Sequence, residues 1–205
     1  MTTKQIGKRI RRLRKAQHKT LLQVAEESGL SVGFLSQVER NLSGITLSSL
    51  VNVARALDVP LQELVDQPAQ TAPDSHQGRR EVYAIEDESV GYERLSTVFP
   101  GSRLHSVKMI VPAGFASETV SHAGEEMVYV LSGAIVYTVG AREYRLDSGD
   151  SLHFDAGTPH KIENRDRQQA EVLWVGTLAI FDDAQASARE PADLAGTEFH
   201  EIGAE

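Results

Sequence analysis

Apolar positions along this chain follow two different periods. In the first third they recur every three to four residues. Ile6, Ile10 and Leu13 lie at i, i+4 and i+7, which predicts an amphipathic first helix. Leu22 and Ala25 share one face of a second helix, and Leu35 and Val38 recur at helical spacing in a third. Leu50, Val51, Ala54 and Leu57 predict a fourth, and Pro60 can open a short fifth ending near Asp66. The boundaries carry their own signals. Thr20 with Gln23 is a capping-box pattern, Ser31 and Thr46 are natural N-caps, and Gly29 suits a left-handed turn between the second and third helices.

Beyond residue 80 the pattern changes to short runs rich in Val, Ile, Tyr and Leu, separated by glycine turns. SVKMIV, EMVYVLSG, AIVYTVG, YRLDSGD, SLHF and EVLWVGTLAIF read as strands of an antiparallel sandwich or barrel. The predicted class is therefore multidomain α + β, with five helices in residues 1–67 and an antiparallel β-barrel in 81–181. Residues 68–80 hold two prolines, a glycine and mostly polar side chains, a linker composition. Residues 182–205 form a polar, acidic C-terminal tail in which Phe199 and Ile202 could tuck onto a surface.

Charge sharpens this division. Residues 1–66 contain ten Lys/Arg and six Asp/Glu, net +4; residues 67–205 contain eleven and twenty-three, net −12; together they make the −8 of the whole chain. Lys4, Lys8, Arg9, Arg11, Arg12, Arg14, Lys15 and Lys19 crowd the first helix. An acidic chain with a basic end points to a polyanion met by that end alone. There is no cysteine, so disulfides and thiolate metal sites are excluded. No apolar run approaches membrane-spanning length and no signal peptide is visible, so a soluble cytoplasmic protein without a membrane partner is expected.

Helix, Gly29 turn, Ser31, Leu35-Ser36-Gln37-Val38-Glu39-Arg40 and the Leu50/Ala54/Leu57 helix together resemble the lambda-repressor-like, XRE-type helix-turn-helix domains over residues 4–66. Ile45 stands where many relatives have proline. The resemblance implies that the third helix lies in the major groove of double-stranded operator DNA. Val32, Gly33, Ser36 and Gln37 would then meet base edges, Gln37 bonding adenine and Val32 a thymine methyl. It also implies that Thr20, Ser31, Arg40 and Asn41 lie near phosphates, and that Arg14 and Glu39 form an internal ion pair.

In the β region, Gly114, His122, Glu126 and Gly133 are followed by Gly149, Gly157, His160 and Asn164. These spacings resemble the two motifs of the cupins, over about residues 105–181, and imply a jelly-roll barrel. Val120 replaces the first motif's leading histidine and Asp155 the second motif's proline. Even offsets along a strand would put positions 120, 122 and 126 on one face, with Gly124 leaving room between them. His160, from a later strand, completes a pocket. Two histidines and a carboxylate suit one divalent metal: zinc, iron, nickel or manganese. Alternatively His122, Glu126 and His160 form a metal-free effector pocket. His153 reads as a strand residue, His105 as a pocket-rim residue, and Trp174, Phe154 and Tyr129 as core.

The combined resemblance implies an XRE-type regulator with a cupin sensor: a homodimer that binds operator DNA and responds to a small-molecule effector. It further implies a repressor of genes for catabolism or transport of amino acids, amines or related metabolites, with no catalytic residues. The alternatives are a metal-dependent cupin dioxygenase or isomerase carrying a DNA-binding domain, and a regulator that senses the metal itself.

Overall fold

The computed structural model describes residues 6–85 and 89–181. Lys4 and the acidic tail 182–205, with Phe199 and Ile202, lie outside the described residues.

Four α-helices open the chain: α1 (Ile6–Ala16), α2 (Leu21–Ser28), α3 (Val32–Glu39) and α4 (Leu47–Ala56). The expected fifth helix is a single 3₁₀ turn, Leu61–Glu63, which follows Pro60. The caps form as the sequence suggests. Thr20 Oγ1 accepts from the Gln23 N–H at 3.1 Å, and the Thr20 N–H donates to Gln23 Oε1 at 2.8 Å. Ser31 Oγ accepts from the Phe34 N–H at 3.1 Å. Each cap contributes about 1 kcal/mol to its helix. Gly29 ends α2 with φ 71°, a backbone that a side chain resists. Ile10, Val24, Leu35, Val38, Leu50, Val53 and Leu57 are fully buried between the helices. Leu22 does not join them: it is 55% exposed, and the buried positions of α2 are Val24, Ala25 and Ser28.

Nine strands follow: β1 (Val82–Ala84), β2 (Gly91–Arg94), β3 (His105–Val111), β4 (Glu125–Ser132), β5 (Ala134–Val139), β6 (Arg142–Asp147), β7 (Ser151–Asp155), β8 (His160–Glu163) and β9 (Ala170–Gly176). They form two antiparallel sheets, one ordered β1-β2-β3-β9-β4-β7 and one ordered β6-β5-β8. Of the expected sandwich or barrel, the described residues form two separate antiparallel sheets and no closed one. In β3 and β9 every second residue is buried, the period-2 signature of a sheet with one covered face. Asp155 replaces the motif proline without loss of the turn, because its Oδ1 accepts from the Gly157 N–H at 2.8 Å. Asn164 is fully buried and ties the chain together: its amide donates to Val111 O at 3.0 Å and Gln168 O at 2.9 Å.

The segment expected as a linker lies against the sheets. Arg94 donates to Pro68 O at 3.3 Å, Thr97 to Gln70 O at 2.7 Å, and Arg80 to Glu93 at 2.8 Å. The helices are docked as well. Helix α4 is buried on nearly every side, at Leu47, Ser49, Leu50, Val51, Asn52, Val53, Ala54 and Ala56. A helix apolar on one face only would not be; its second face rests on the β region. Thr46 donates from its backbone N–H and its hydroxyl to Glu118, the Leu47 N–H donates to the Tyr92 hydroxyl at 3.2 Å, and Asn52 donates to Ser121 O at 3.2 Å.

Candidate functional sites

The first candidate surface is the outer face of α3. Leu35, Val38 and Glu39 turn inward, so the intervening positions turn out. Val32 is 39% exposed; Gly33, Gln37, Arg40 and Asn41 are exposed, and Ser36 is half-buried. Thr20 and Ser31, at the starts of α2 and α3, are exposed too. Their oxygens accept the capping bonds, which leaves the hydroxyl hydrogens to donate outward. Arg40 donates from Nε to Ser36 O at 3.1 Å, which aligns the guanidinium along the helix. Asn41 has φ 54°, and the position a Gly7 side chain would take is only 2.7 Å from its Oδ1. Asn41 therefore also seals the α1–α3 crossing.

Arg14 and Glu39 form a two-pronged pair beneath this face. Nε meets Oε1 at 2.6 Å and Nη2 meets Oε2 at 2.7 Å, while Nη1 donates to Lys19 O at 3.0 Å. The hydrogen bonds to Glu39 raise the Arg14 pKa further above its usual value, against the opposing effect of burial. The pair fixes α1 to the C-terminal end of α3, and planar bidentate geometry makes it stiff.

The second candidate site lies between the sheets. His122, Glu126 and His160 are all buried, and one ligand atom from each lies within 4.8 Å of the others. They converge by a route the strand period does not describe. Glu126 is in β4, but His122 precedes it, and Gly124 between them bends the chain with φ 106°. A Cβ at Gly124 would lie 2.2 Å from Thr177 Oγ1, so this bend needs glycine. His160 opens β8 and pairs with Val120 through two backbone hydrogen bonds, at 2.9 and 2.8 Å. Val120 lines the same cavity as an apolar wall.

The donor set fits a cation. His122 Nδ1 faces Ala123 O at 3.3 Å and His160 Nδ1 faces Thr158 O at 2.9 Å. A carbonyl only accepts, so these nitrogens carry the hydrogens. The Nε2 atoms then face Glu126, at 2.8 Å from His122 and 3.7 Å from His160. Two ring lone pairs and a carboxylate aimed at one point need a positive centre, a proton or a metal ion, and backbone-anchored imidazoles are typical of metal ligands. The cluster could bind a metal. Phe154 packs edge-on against His160, with ring centroids 5.0 Å apart. Tyr137, which also lines the cavity, is kept a neutral phenol: burial and then the charge of Glu126 push its pKa well up.

Trp174 is core, as expected, and also walls this cavity. Tyr129 is not core; it is 38% exposed on the outer face of β4. His153 faces solvent and pairs with Glu125 at 3.0 Å, and His105 is buried against Phe181 rather than at the cavity. Residues of the cavity without a motif signal include Leu47, Tyr92, Met109 and Tyr137.

Among the described residues no helix is long and apolar enough to cross a membrane. Residues 10–64 match the helix-turn-helix family, and residues 107–176 match the cupin domain family. The chain is a DNA-binding transcriptional regulator of the XRE helix-turn-helix type with a C-terminal cupin domain. It is 26% identical to the HTH-type transcriptional regulator PuuR of Escherichia coli K12 over 179 residues, covering 85% of this chain and 96% of that protein. It is also 26% identical to the HTH-type transcriptional regulator SutR of the same organism, covering 78% of this chain and 86% of that one. A crystal structure of an HTH_3 family transcriptional regulator from Vibrio cholerae shares the fold, with TM-score 0.54, 19% identity, and coverage of 86% of this chain and 97% of that one.

Proposed function

We propose that this regulator reads operator DNA through α3 as a homodimer, and that a small molecule held at His122, Glu126 and His160 controls it. Residues 1–67 are the reading unit and 81–181 the sensing unit. The observation that carries the proposal is the outer face of α3. Val32, Gly33 and Gln37 stand clear of the core, with Ser36 half-buried beside them, while the Arg14–Glu39 pair fixes the helix that bears them. In this reading Gln37 bonds adenine and Val32 packs on a thymine methyl, while Thr20, Ser31, Arg40 and Asn41 meet phosphates. The protein acts as a repressor of small-metabolite catabolism or transport genes, since occupying a promoter suffices to block it.

A divalent metal is part of the sensing site. It would supply a Lewis-acid centre to which a carboxylate, hydroxyl or amine of the effector binds. His122, Glu126 and His160 would hold it, with Val120 beside them as an apolar wall in place of a fourth ligand. Among the described residues the only carboxylate lining the cavity is Glu126, which the metal would occupy, so no second carboxylate is left there as a general base, which favours a sensor over an enzyme.

The dimer surface is the outer face of β4. Met127, Tyr129 and Leu131 are 40%, 38% and 42% exposed, and Val175 and Leu173 of β9 lie beside Met127 and Tyr129 in register. This apolar stripe would be covered by the same stripe of a second copy across a two-fold axis.

Fluorescence anisotropy with a promoter duplex and a scrambled duplex at one salt concentration tests the proposal. The expected result is at least a thousandfold preference for the promoter site, altered by the effector in wild type but not in Glu126→Ala. Equal affinity for both duplexes would refute it.

A further inference from the structure

Effector entry meets an obstacle that the fold makes explicit. The cavity beside His160 and Glu126 has a volume of only about 40 Å³. That is room for a few waters or an ion; sites for metabolites are usually about 300–1,000 Å³. One wall is not part of the cupin domain at all. Thr46, Leu47 and Ser48, from the start of α4, line the cavity together with Trp174 and Met109 of the β region. Leu47 is buried there, and the N–H groups of Thr46 and Leu47, free of partners inside their own helix, donate instead to Glu118 and the Tyr92 hydroxyl. Asn52, one turn on, holds Ser121 O, the carbonyl next to His122.

We infer that the effector site is shared by the two domains and that a metabolite and the docked α4 exclude one another. This inference rests on the reading of the cavity as the effector site. The start of α4 occupies the space a metabolite needs. Filling the cavity expels Leu47, frees the Thr46 and Leu47 amides, and releases the helix-turn-helix unit from the cupin domain. Because α4 packs directly on α2, the reading head moves with it. Ligand and operator are then linked reciprocally: the factor by which the ligand changes operator affinity equals that by which operator changes ligand affinity. A bare metal ion fits the cavity with α4 in place, so the metal alone leaves α4 docked.

Hydrogen exchange on the full-length protein tests this, with peptides resolving Thr46 and Leu47. Two variants are used. Val107→Phe adds bulk to the cavity wall and stands in for a ligand. Glu118→Ala removes one docking acceptor but leaves Tyr92, the acceptor of Leu47, untouched. Leu47 is expected to exchange at least tenfold faster in both, while Leu50, bonded to Thr46 O within the helix, stays protected. If Val107→Phe does not fold, Glu118→Ala decides alone. Leu47 exchanging at the wild-type rate in the folded variants would overturn the inference, as would a wild-type Leu47 that exchanges like an open amide. Cobalt(II) added to wild type is expected to bind without speeding Leu47. Absence of cobalt binding would count against the metal in the sensing site and leave the variants to decide the shared site.

Discussion

Gly7 sits where α1 crosses the end of α3. A Cβ there would stand 2.0 Å from Val38 O, an approach that only a hydrogen permits. Gly7→Ala should therefore cost about 1–3 kcal/mol through forced separation of the helices, although alanine is the better helix former. Urea unfolding checks this; a stabilised Gly7→Ala would show that α1 lies farther from α3. Removing one partner of the Arg14–Glu39 pair strands a nearly buried charge. Glu39→Ala should cost roughly 3–5 kcal/mol, against little for an exposed pair such as Arg145–Asp147. Equal, small losses for the two would contradict the burial seen here. At the reading surface, Gln37→Ala should lose about 1–3 kcal/mol at one base pair only, whereas Arg40→Ala should weaken all sequences and lower the salt slope by about 1. Anisotropy against single-base operator variants separates the two behaviours.

At the scale of elements, capping and periodicity made the helices legible, since these are local chemistry. Thr20–Gln23, Gly29 and Ser31 all do what their types suggest. Two motif spacings likewise led to His122, Glu126 and His160. What stayed hidden depends on partners distant in sequence. Leu22 has the right type for a core but no neighbour to cover it, and Tyr129 faces outward for the same reason. The bend at Gly124 in the 122–126 segment admits only glycine because Thr177, 53 residues away, fills the space of a side chain. Between β2 and β3 a further cross-strand network forms, with Glu93 held by Lys108 at 2.6 Å and Arg80 at 2.8 Å. Burial raises the Glu93 pKa, but the bonds from Lys108 and Arg80 outweigh it and leave it below the usual carboxylate value. A depressed folded-state pKa stabilises above the unfolded value, about 4.3, and that contribution is lost as pH falls through the folded value. Glu93→Gln should thus destabilise at pH 7, and the gap from wild type should narrow as pH drops below about 4.3. A gap that stays constant in acid would argue that Glu93 acts through packing alone.

For the whole molecule, the charge division of the chain anticipated a basic reading end on an acidic body. It did not anticipate that the two are docked through α4, because Leu47 and Asn52 look like ordinary helix residues until the cupin domain is placed against them. Assembly is a second property of this scale. Replacing Tyr129 and Leu131 together by glutamate places charges on the β4 stripe. The proposed interface predicts that light scattering reports a dimer for wild type and a monomer for this variant, with operator affinity lowered through loss of the second half-site. A dimer unchanged by both substitutions would move the interface elsewhere. The claim on which everything else depends is that α3 reads bases from two symmetric half-sites. Selection of bound duplexes from a random pool, followed by sequencing, tests it most directly. Wild type should enrich an inverted repeat with half-sites about one helical turn apart, and Gln37→Ala should lose preference at one symmetric pair of positions while keeping the rest. A pool left random by the wild-type protein, or an identical motif from Gln37→Ala, would contradict it.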